Sequence, residues 1–272
     1  MIKIKKETAC QRTAVADCLK NCEDAAVVAT IKRNVGEIVS EADEYEKLAK
    51  QNKLHDIPKL KSPWGLTVAQ MGGLYGGFAK AKSDIRDTYD LLRNSAPGNI
   101  CPYCGQGPVK TLDHFLSKTR FPRLAITLNN LVPCCSDCNK HKGSAPATNP
   151  DRQLLHPYYE DVDGARWLQA EIIHSTPMAA VFKAVGGGKN SKRILWQFKK
   201  LHLGKLYATY AGTELKNKND LFIRLRRLDR ASLERHLEEC LEGSASNSWQ
   251  EATYTALLSD KWVMNGGFLP PP

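Results

Sequence analysis

The sequence has no apolar run long enough to cross a bilayer. Its longest runs, such as Ala25-Ala26-Val27-Val28-Ala29, fall well short of the roughly 20 residues a spanning helix needs. The opening Met1-Ile2-Lys3-Ile4-Lys5-Lys6 contains no apolar segment of a secretion signal. These absences set the expectation of a cytoplasmic protein with no membrane partner. Internal repeats and long low-complexity tracts are missing too, which excludes solenoids, propellers and a wholly disordered chain. What remains is ordinary globular material. The chain has 272 residues, 42% hydrophobic and 25% charged, enough for one large domain or two small ones.

Acidic residues are scarce relative to basic ones. There are 39 Lys and Arg against 29 Asp and Glu, a net charge of +10. The excess is localised: residues 183–230 hold 13 basic and 3 acidic side chains, and residues 98–145 hold 6 and 2. A concentrated excess suits a polyanionic partner, most often nucleic acid. Solvated helix faces kept soluble by Lys and Arg produce the same count.

Residues 1–97 read as helical. From Ala14 to Leu54, apolar residues recur at helical spacing (Val15, Leu19, Val28, Ile31, Val35, Ile38) with charges between them. The Gly72-Gly73 and Gly76-Gly77 pairs weaken any helix over 71–78, and a second helix is predicted over about 79–93. Residues 99–145 alternate short β-like pieces with turn residues. Residues 146–182 read as a loop-rich connector. Residues 191–241 read as two helices split near Asn217–Asp220, and Trp249–Leu258 as a last short helix. The expected class is α+β, mostly helical, in three regions: helical 1–97, a cysteine-rich core with its connector over 98–182, and a basic helical region over 183–272.

Nine cysteines, an odd number without a secretion signal, argue against a disulfide framework. Four fall in two C-x-x-C knuckles, Cys101-Pro102-Tyr103-Cys104-Gly105 and Cys135-Ser136-Asp137-Cys138. Each knuckle aims two thiolates at one ion, and four thiolates make a closed tetrahedral zinc site with no open position for chemistry. Buried free thiols or a redox pair are the competing readings. Cys134 breaks the x-x spacing and reads as packed.

Between the knuckles lie Leu112-Asp113-His114-Phe115-Leu116-Ser117-Lys118 and Asn129-Asn130-Leu131. The second knuckle runs into Asn139-Lys140-His141-Lys142-Gly143. An Asp directly before a His gives adjacent side chains that can converge on one site at a strand end. A neutral imidazole accepts a proton near neutral pH. Asp and Asn oxygens are hard donors of the kind Mg²⁺ prefers, chemically distinct from the thiolates.

Asp-His, then Asn-Leu, then Cys-x-x-Cys-Asn-x-x-Lys resembles the HNH endonuclease family, whose fold is the ββα-metal motif. The likeness covers Cys101 to Gly143, with Asn139 where the family often has its last His. The resemblance implies a zinc-stabilised ββα core between helical flanks, and a role for each matching residue. His114 is the general base, and Asp113 and Asn139 hold a catalytic Mg²⁺ or Mn²⁺. Asn130 braces the loop that orients His114, Lys142 meets phosphate, and Cys101, Cys104, Cys135 and Cys138 bind structural Zn²⁺; Lys118, beside the motif, is a further nucleic-acid-binding candidate. The implied activity is metal-dependent hydrolysis of phosphodiester bonds, with DNA favoured and RNA compatible. A narrower likeness rests on Cys-Pro-Tyr-Cys-Gly, Leu-Asp-His-Phe-Leu and Leu155-His156-Pro157-Tyr158-Tyr159. It is to Septu-like anti-phage nuclease subunits, and it implies an ABC-type ATPase partner. His156 itself reads as structural.

In the basic region, Arg224, Arg226 and Arg227 are the candidates for a phosphate-binding face. No base-reading motif accompanies them. The competing function is a non-catalytic zinc-knuckle module that binds nucleic acid or protein. It would keep the four cysteines but need none of Asp113, His114 or Asn130.

Overall fold

The structure, a computed structural model, describes residues 1–80, 82–161, 166–186, 188 and 190–271. The chain divides into two compact units, Met1–Asp161 and Val162–Pro272. Among the described residues no helix is long and apolar enough to cross a membrane.

The first unit begins with α1 (Gln11–Lys20) and α2 (Ala25–Lys50). The expected continuous helix is broken at Asn21–Asp24 because Asp24 starts a new one. Its carboxylate accepts from the Ala26 and Val27 N–H groups, the bonds of a helix N-cap. Along α2 the buried stripe is Val27, Ile31, Ile38, Ala42, Tyr45 and Ala49, the one-sided pattern that periodicity predicts. Next come α3 (Val68–Gly76) and α4 (Arg86–Arg93). Helix α3 forms across glycines that argued against it. A reciprocal Thr67–Gln70 capping box starts it, and Met71 and Leu74 bury its inner face. Helix α4 starts later than predicted.

The cysteine-rich segment folds as two antiparallel strands, β1 (Thr111–His114) and β2 (Leu131–Cys134), followed by α5 (Ser136–Lys142). His114 faces Leu131 in register, and Leu112 faces Pro133. The strand pair shares its core with the helices. Leu112, Ala125, Ile126, Leu128 and Leu131 pack in one cluster with Ile31, Ile38, Met71, Leu74, Phe78 and Ile85. Complete burial of each such Ile or Leu contributes about 1.5–3 kcal/mol. Each strand also gives a carbonyl to a flanking tyrosine. The Tyr75 hydroxyl donates to Leu112 O at 2.7 Å, and the Tyr158 hydroxyl donates to Leu131 O at 2.8 Å.

The second unit holds a hairpin, β3 (Leu168–Ile173) and β4 (Ala179–Ala184), where a loop-rich connector was expected up to residue 182. After it come α6 (Ser191–Lys200), α7 (Leu203–Leu228), α8 (Arg230–Glu242), α9 (Trp249–Ser259) and α10 (Lys261–Met264). Helix α9 matches its predicted bounds closely. The predicted split at Asn217–Asp220 does not occur. Helix α7 runs through it because Leu215 and Phe222 on either side are both buried. The breaks fall instead at His202, which adopts φ 52°, and at the extended Asp229, whose carboxylate caps α8.

Candidate active site and zinc centre

The two knuckles meet. The sulfurs of Cys101, Cys104, Cys135 and Cys138 all lie within 4.8 Å of one another, and all four residues are buried. Cys104 Sγ and Cys135 Sγ are 3.9 Å apart. A tetrahedral zinc about 2.3 Å from each sulfur sets neighbouring sulfurs about 3.8 Å apart, so the spacing fits the ion. The donors around the thiols fit as well: Gly107 N–H points to Cys104 Sγ at 3.3 Å and Cys138 N–H to Cys135 Sγ at 3.4 Å, interactions that favour thiolates. Cys135 Sγ thereby serves as the N-cap of α5. Gly107 packs tightly against the cluster: a Cβ there would lie 3.0 Å from Cys135 Cβ and 3.1 Å from its sulfur, so Cys135 would have to give by a few tenths of an ångström. Cys134 is buried beside the cluster, its thiol donating to the Cys135 carbonyl at 3.2 Å.

Asp113 and His114 occupy the last two positions of β1. Both are buried, as are Asn130 and Lys142, each 9% exposed or less. His114 Nε2 lies 2.8 Å from the Ala125 carbonyl oxygen. A carbonyl only accepts, so Nε2 carries the proton and the neutral ring keeps its lone pair on Nδ1. Burial pushes the imidazole pKa down to about 3, with Lys118 and Lys142 adding to the effect. The ring is therefore neutral throughout the neutral range.

Asn130 binds the loop that follows β1 at several points. Its Oδ1 accepts from Leu116 N–H at 2.7 Å, and its Nδ2 donates to the carbonyls of Leu116 at 2.9 Å and Leu124 at 3.2 Å. Its own carbonyl accepts from Phe115 N–H at 2.7 Å. Leu124 directly precedes Ala125, the residue whose carbonyl holds His114.

Lys142, at the end of α5, turns inward. Its Nζ donates to the His114 carbonyl at 2.7 Å and lies 3.1 Å from Asp113 Oδ2. The resemblance implied a phosphate contact for Lys142. The end of α5 instead buries the ammonium against β1. Burial raises the Asp113 pKa and the Lys142 charge opposes that rise. Asp113 Oδ2 has no aligned hydrogen bond despite its burial; Lys142 is a charge contact. A buried carboxylate oxygen of this kind is a hard donor of the type a divalent ion takes, and Asn139, one helical turn before Lys142, is half-buried on α5.

Lys118 is half-buried, and burial lowers its pKa. Its ammonium sits 4.4 Å over the centre of the Tyr75 ring. His141 lies half-buried on α5. His156 is fully buried. Its Nδ1 accepts from Tyr158 N–H at 3.3 Å, its Nε2 lies 3.1 Å from the Tyr45 hydroxyl, and Phe115 stacks on its ring. That is a structural environment. In the second unit, Arg224 and Arg227 are exposed on α7, while Arg226 Nε donates to Met264 O at 3.1 Å.

Sequence reasoning missed Tyr75, the Ala125 carbonyl and the inward turn of Lys142. None of the three carries a local signal, since a tyrosine on a glycine-rich helix and a backbone oxygen match no motif.

The sequence model of one family, described as HNH endonuclease, matches residues 101–145. A relative, Protein ea31 of Escherichia phage lambda, is 34% identical over 160 residues. That alignment covers 55% of this chain and 53% of the relative, so it spans about half the length of each. No solved structure matches the chain. Strand, strand and helix follow one another across the matched residues with the four thiols gathered among them, so the segment that matches the HNH endonuclease domain is residues 101–145.

Proposed function

We propose that this protein is a metal-dependent endonuclease that hydrolyses phosphodiester bonds in nucleic acid, DNA before RNA. The observation that carries the reading is the state of His114: neutral, tied through Nε2–H to Ala125, with the Nδ1 lone pair left over. A general base needs such a lone pair at working pH. A zinc-knuckle binding module has no use for a buried imidazole beside a buried carboxylate, and burying both is costly.

Asp113 and Asn139 would hold Mg²⁺ or Mn²⁺. When bound, the ion would supply Lewis-acid stabilisation of charge on the phosphoryl and leaving oxygens. His114 Nδ1 takes the proton of the attacking water. Asn130 fixes the loop that carries Ala125 and so the direction of the imidazole. Lys142 balances the Asp113 charge and pins the His114 backbone. Lys118 meets a phosphate oxygen, and the exposed Arg224 and Arg227 of the second unit are separate candidates for phosphate contact. Cys101, Cys104, Cys135 and Cys138 would hold a structural zinc ion, which would contribute folding energy to the segment that carries β2 and α5.

The test is a panel of plasmid, single-stranded DNA and structured RNA with Mg²⁺ or Mn²⁺. Cleavage of one class by the wild type, lost in His114→Ala with binding retained, supports the reading and names the substrate. The Septu-like resemblance adds an ABC-type ATPase as partner and trigger. On that reading the chain alone is restrained, and adding the ATPase raises cleavage.

A further inference from the structure

Helix α3 lies outside the HNH-matched residues, yet one of its side chains reaches the centre of the site. The Tyr75 ring meets the His114 ring edge-on, with centroids 4.3 Å apart and planes at 67°. The Tyr75 hydroxyl donates to Leu112 O at 2.7 Å, two residues before His114. The Lys118 ammonium sits over the same ring. Phe78 stacks against Tyr75 with centroids 5.5 Å apart and planes at 27°. One side chain thus touches the strand, the imidazole and the cation of the segment Leu112–Lys118, and is itself backed by a buried aromatic.

The hydrogen bond from Nε2 to Ala125 fixes one point of the imidazole. Rotation about the Cβ–Cγ bond of a histidine is broad, so one bond leaves the ring free to tilt and the Nδ1 lone pair free to swing. An aromatic edge contact at 4.3 Å removes that tilt. The face of an electron-rich ring also attracts an ammonium, which seats Lys118 close to the imidazole it must work beside.

We propose that Tyr75 is a positioning residue of this site: its ring sets the His114 imidazole and seats the Lys118 ammonium next to it. The proposal rests on the reading of His114 as the base. It makes the helical flank a component of the nuclease site.

The test uses the full chain and four variants, each first checked for zinc content and melting temperature. Tyr75→Phe keeps both ring contacts and loses only the bond to Leu112. Tyr75→Leu loses the ring. Lys118→Met loses the cation, and Tyr75→Leu/Lys118→Met combines the two. If the Leu variant loses zinc or melts early, Tyr75→Met refills the volume without a π face and replaces it.

On the cleaved substrate, Tyr75→Phe should keep kcat within about threefold of wild type. Tyr75→Leu should lose about ten- to a hundredfold in kcat, the scale of a misplaced catalytic group, and should raise KM. Lys118→Met should raise KM with kcat little changed, and the double variant should raise KM no further than Lys118→Met alone. A Leu variant with wild-type kcat, or a Phe variant as impaired as the Leu variant, overturns the proposal.

A second readout does not depend on cleavage. Imidazole NMR of the resting protein should show His114 as the Nε2–H tautomer, with ring protons shifted by the Tyr75 ring current. Tyr75→Phe should retain that shift and Tyr75→Leu should lose it. Unchanged His114 signals in the Leu variant overturn the proposal. If the wild type cleaves nothing, alone or with an ABC-type ATPase partner added, while the NMR shift still depends on the ring, the nuclease reading fails and the placement of His114 by Tyr75 stands.

Discussion

Asn130 donates from Nδ2 to the Leu124 carbonyl at 3.2 Å, one residue before the carbonyl that holds the imidazole of His114. The link runs from a fully buried amide, through two consecutive peptide units, to the proposed base. It gives Asn130 a function without contact with any substrate.

Asn130→Asp tests that link with almost no change of shape. One oxygen still accepts from Leu116 N–H, but the other replaces a donor that faced the carbonyls of Leu116 and Leu124. Each buried group left unpaired costs about 1–3 kcal/mol. We expect a loss of at least about 2 kcal/mol in denaturant unfolding, with cleavage falling alongside. Wild-type stability in the Asp variant would mean that the amide does not brace the loop.

The four-cysteine cluster, read as a zinc site, makes its own prediction through Gly107, where a Cβ would press on Cys135. Gly107→Ala should weaken zinc retention against a chelator and lower the melting temperature. Cys104→Ser should do so more severely, because structural zinc contributes folding energy outright. Full zinc content and an unchanged melting temperature in Cys104→Ser would remove Cys104 from the ligand set.

Acid should destabilise the protein partly through His114. Its folded pKa of about 3 lies below the ordinary value of about 6.5. Between those values the unfolded chain takes up a proton that the folded chain refuses. Stability therefore falls as pH drops from about 6.5 toward 3, by at most about 1.4 kcal/mol per pH unit. The Asp113 pKa is shifted upward, which has the opposite sign, so the comparison must isolate the histidine. Without added divalent ion, wild type should lose stability relative to His114→Asn as pH falls from 7 to about 4. Parallel curves would contradict the buried neutral imidazole.

The arginines of α7 divide by contact. Arg224 and Arg227 are exposed, whereas Arg226 is engaged with Met264. Neutralising Arg224 and Arg227 should weaken nucleic-acid binding and reduce the slope of log affinity against log salt by up to about 0.9 per lost phosphate contact on duplex DNA. Arg226→Ala should act mainly on the melting temperature. A salt slope unchanged by the double substitution would place the phosphate contacts elsewhere.

Much of this was legible in the sequence because its signals are local. Two C-x-x-C pairs announce a tetrathiolate site, Asp113-His114 and Asn130 fall in motif order, and the α2 stripe follows from spacing alone. The misses are tertiary. The strands β3 and β4 are short, and three of the six residues of β4 are alanine, so only their pairing with each other reveals them. Polar Asn217–Asp220 looked like a break, but buried Leu215 and Phe222 hold α7 together across it. Glycines in α3 looked prohibitive until capping and burial outweighed them, and Tyr75 came with that helix. The burial of Lys142 against β1 was not legible because sequence does not tell which face of a seven-residue helix meets a strand.

The most direct measurement is the single-turnover cleavage rate of wild type and His114→Ala on the substrate the panel identifies, at saturating enzyme and with Mg²⁺ or Mn²⁺. Loss of a general base costs about 10²–10⁴ in rate. A drop of that size in His114→Ala, with nucleic-acid affinity and zinc content unchanged, is the predicted result. Equal rates in the two proteins would contradict the account.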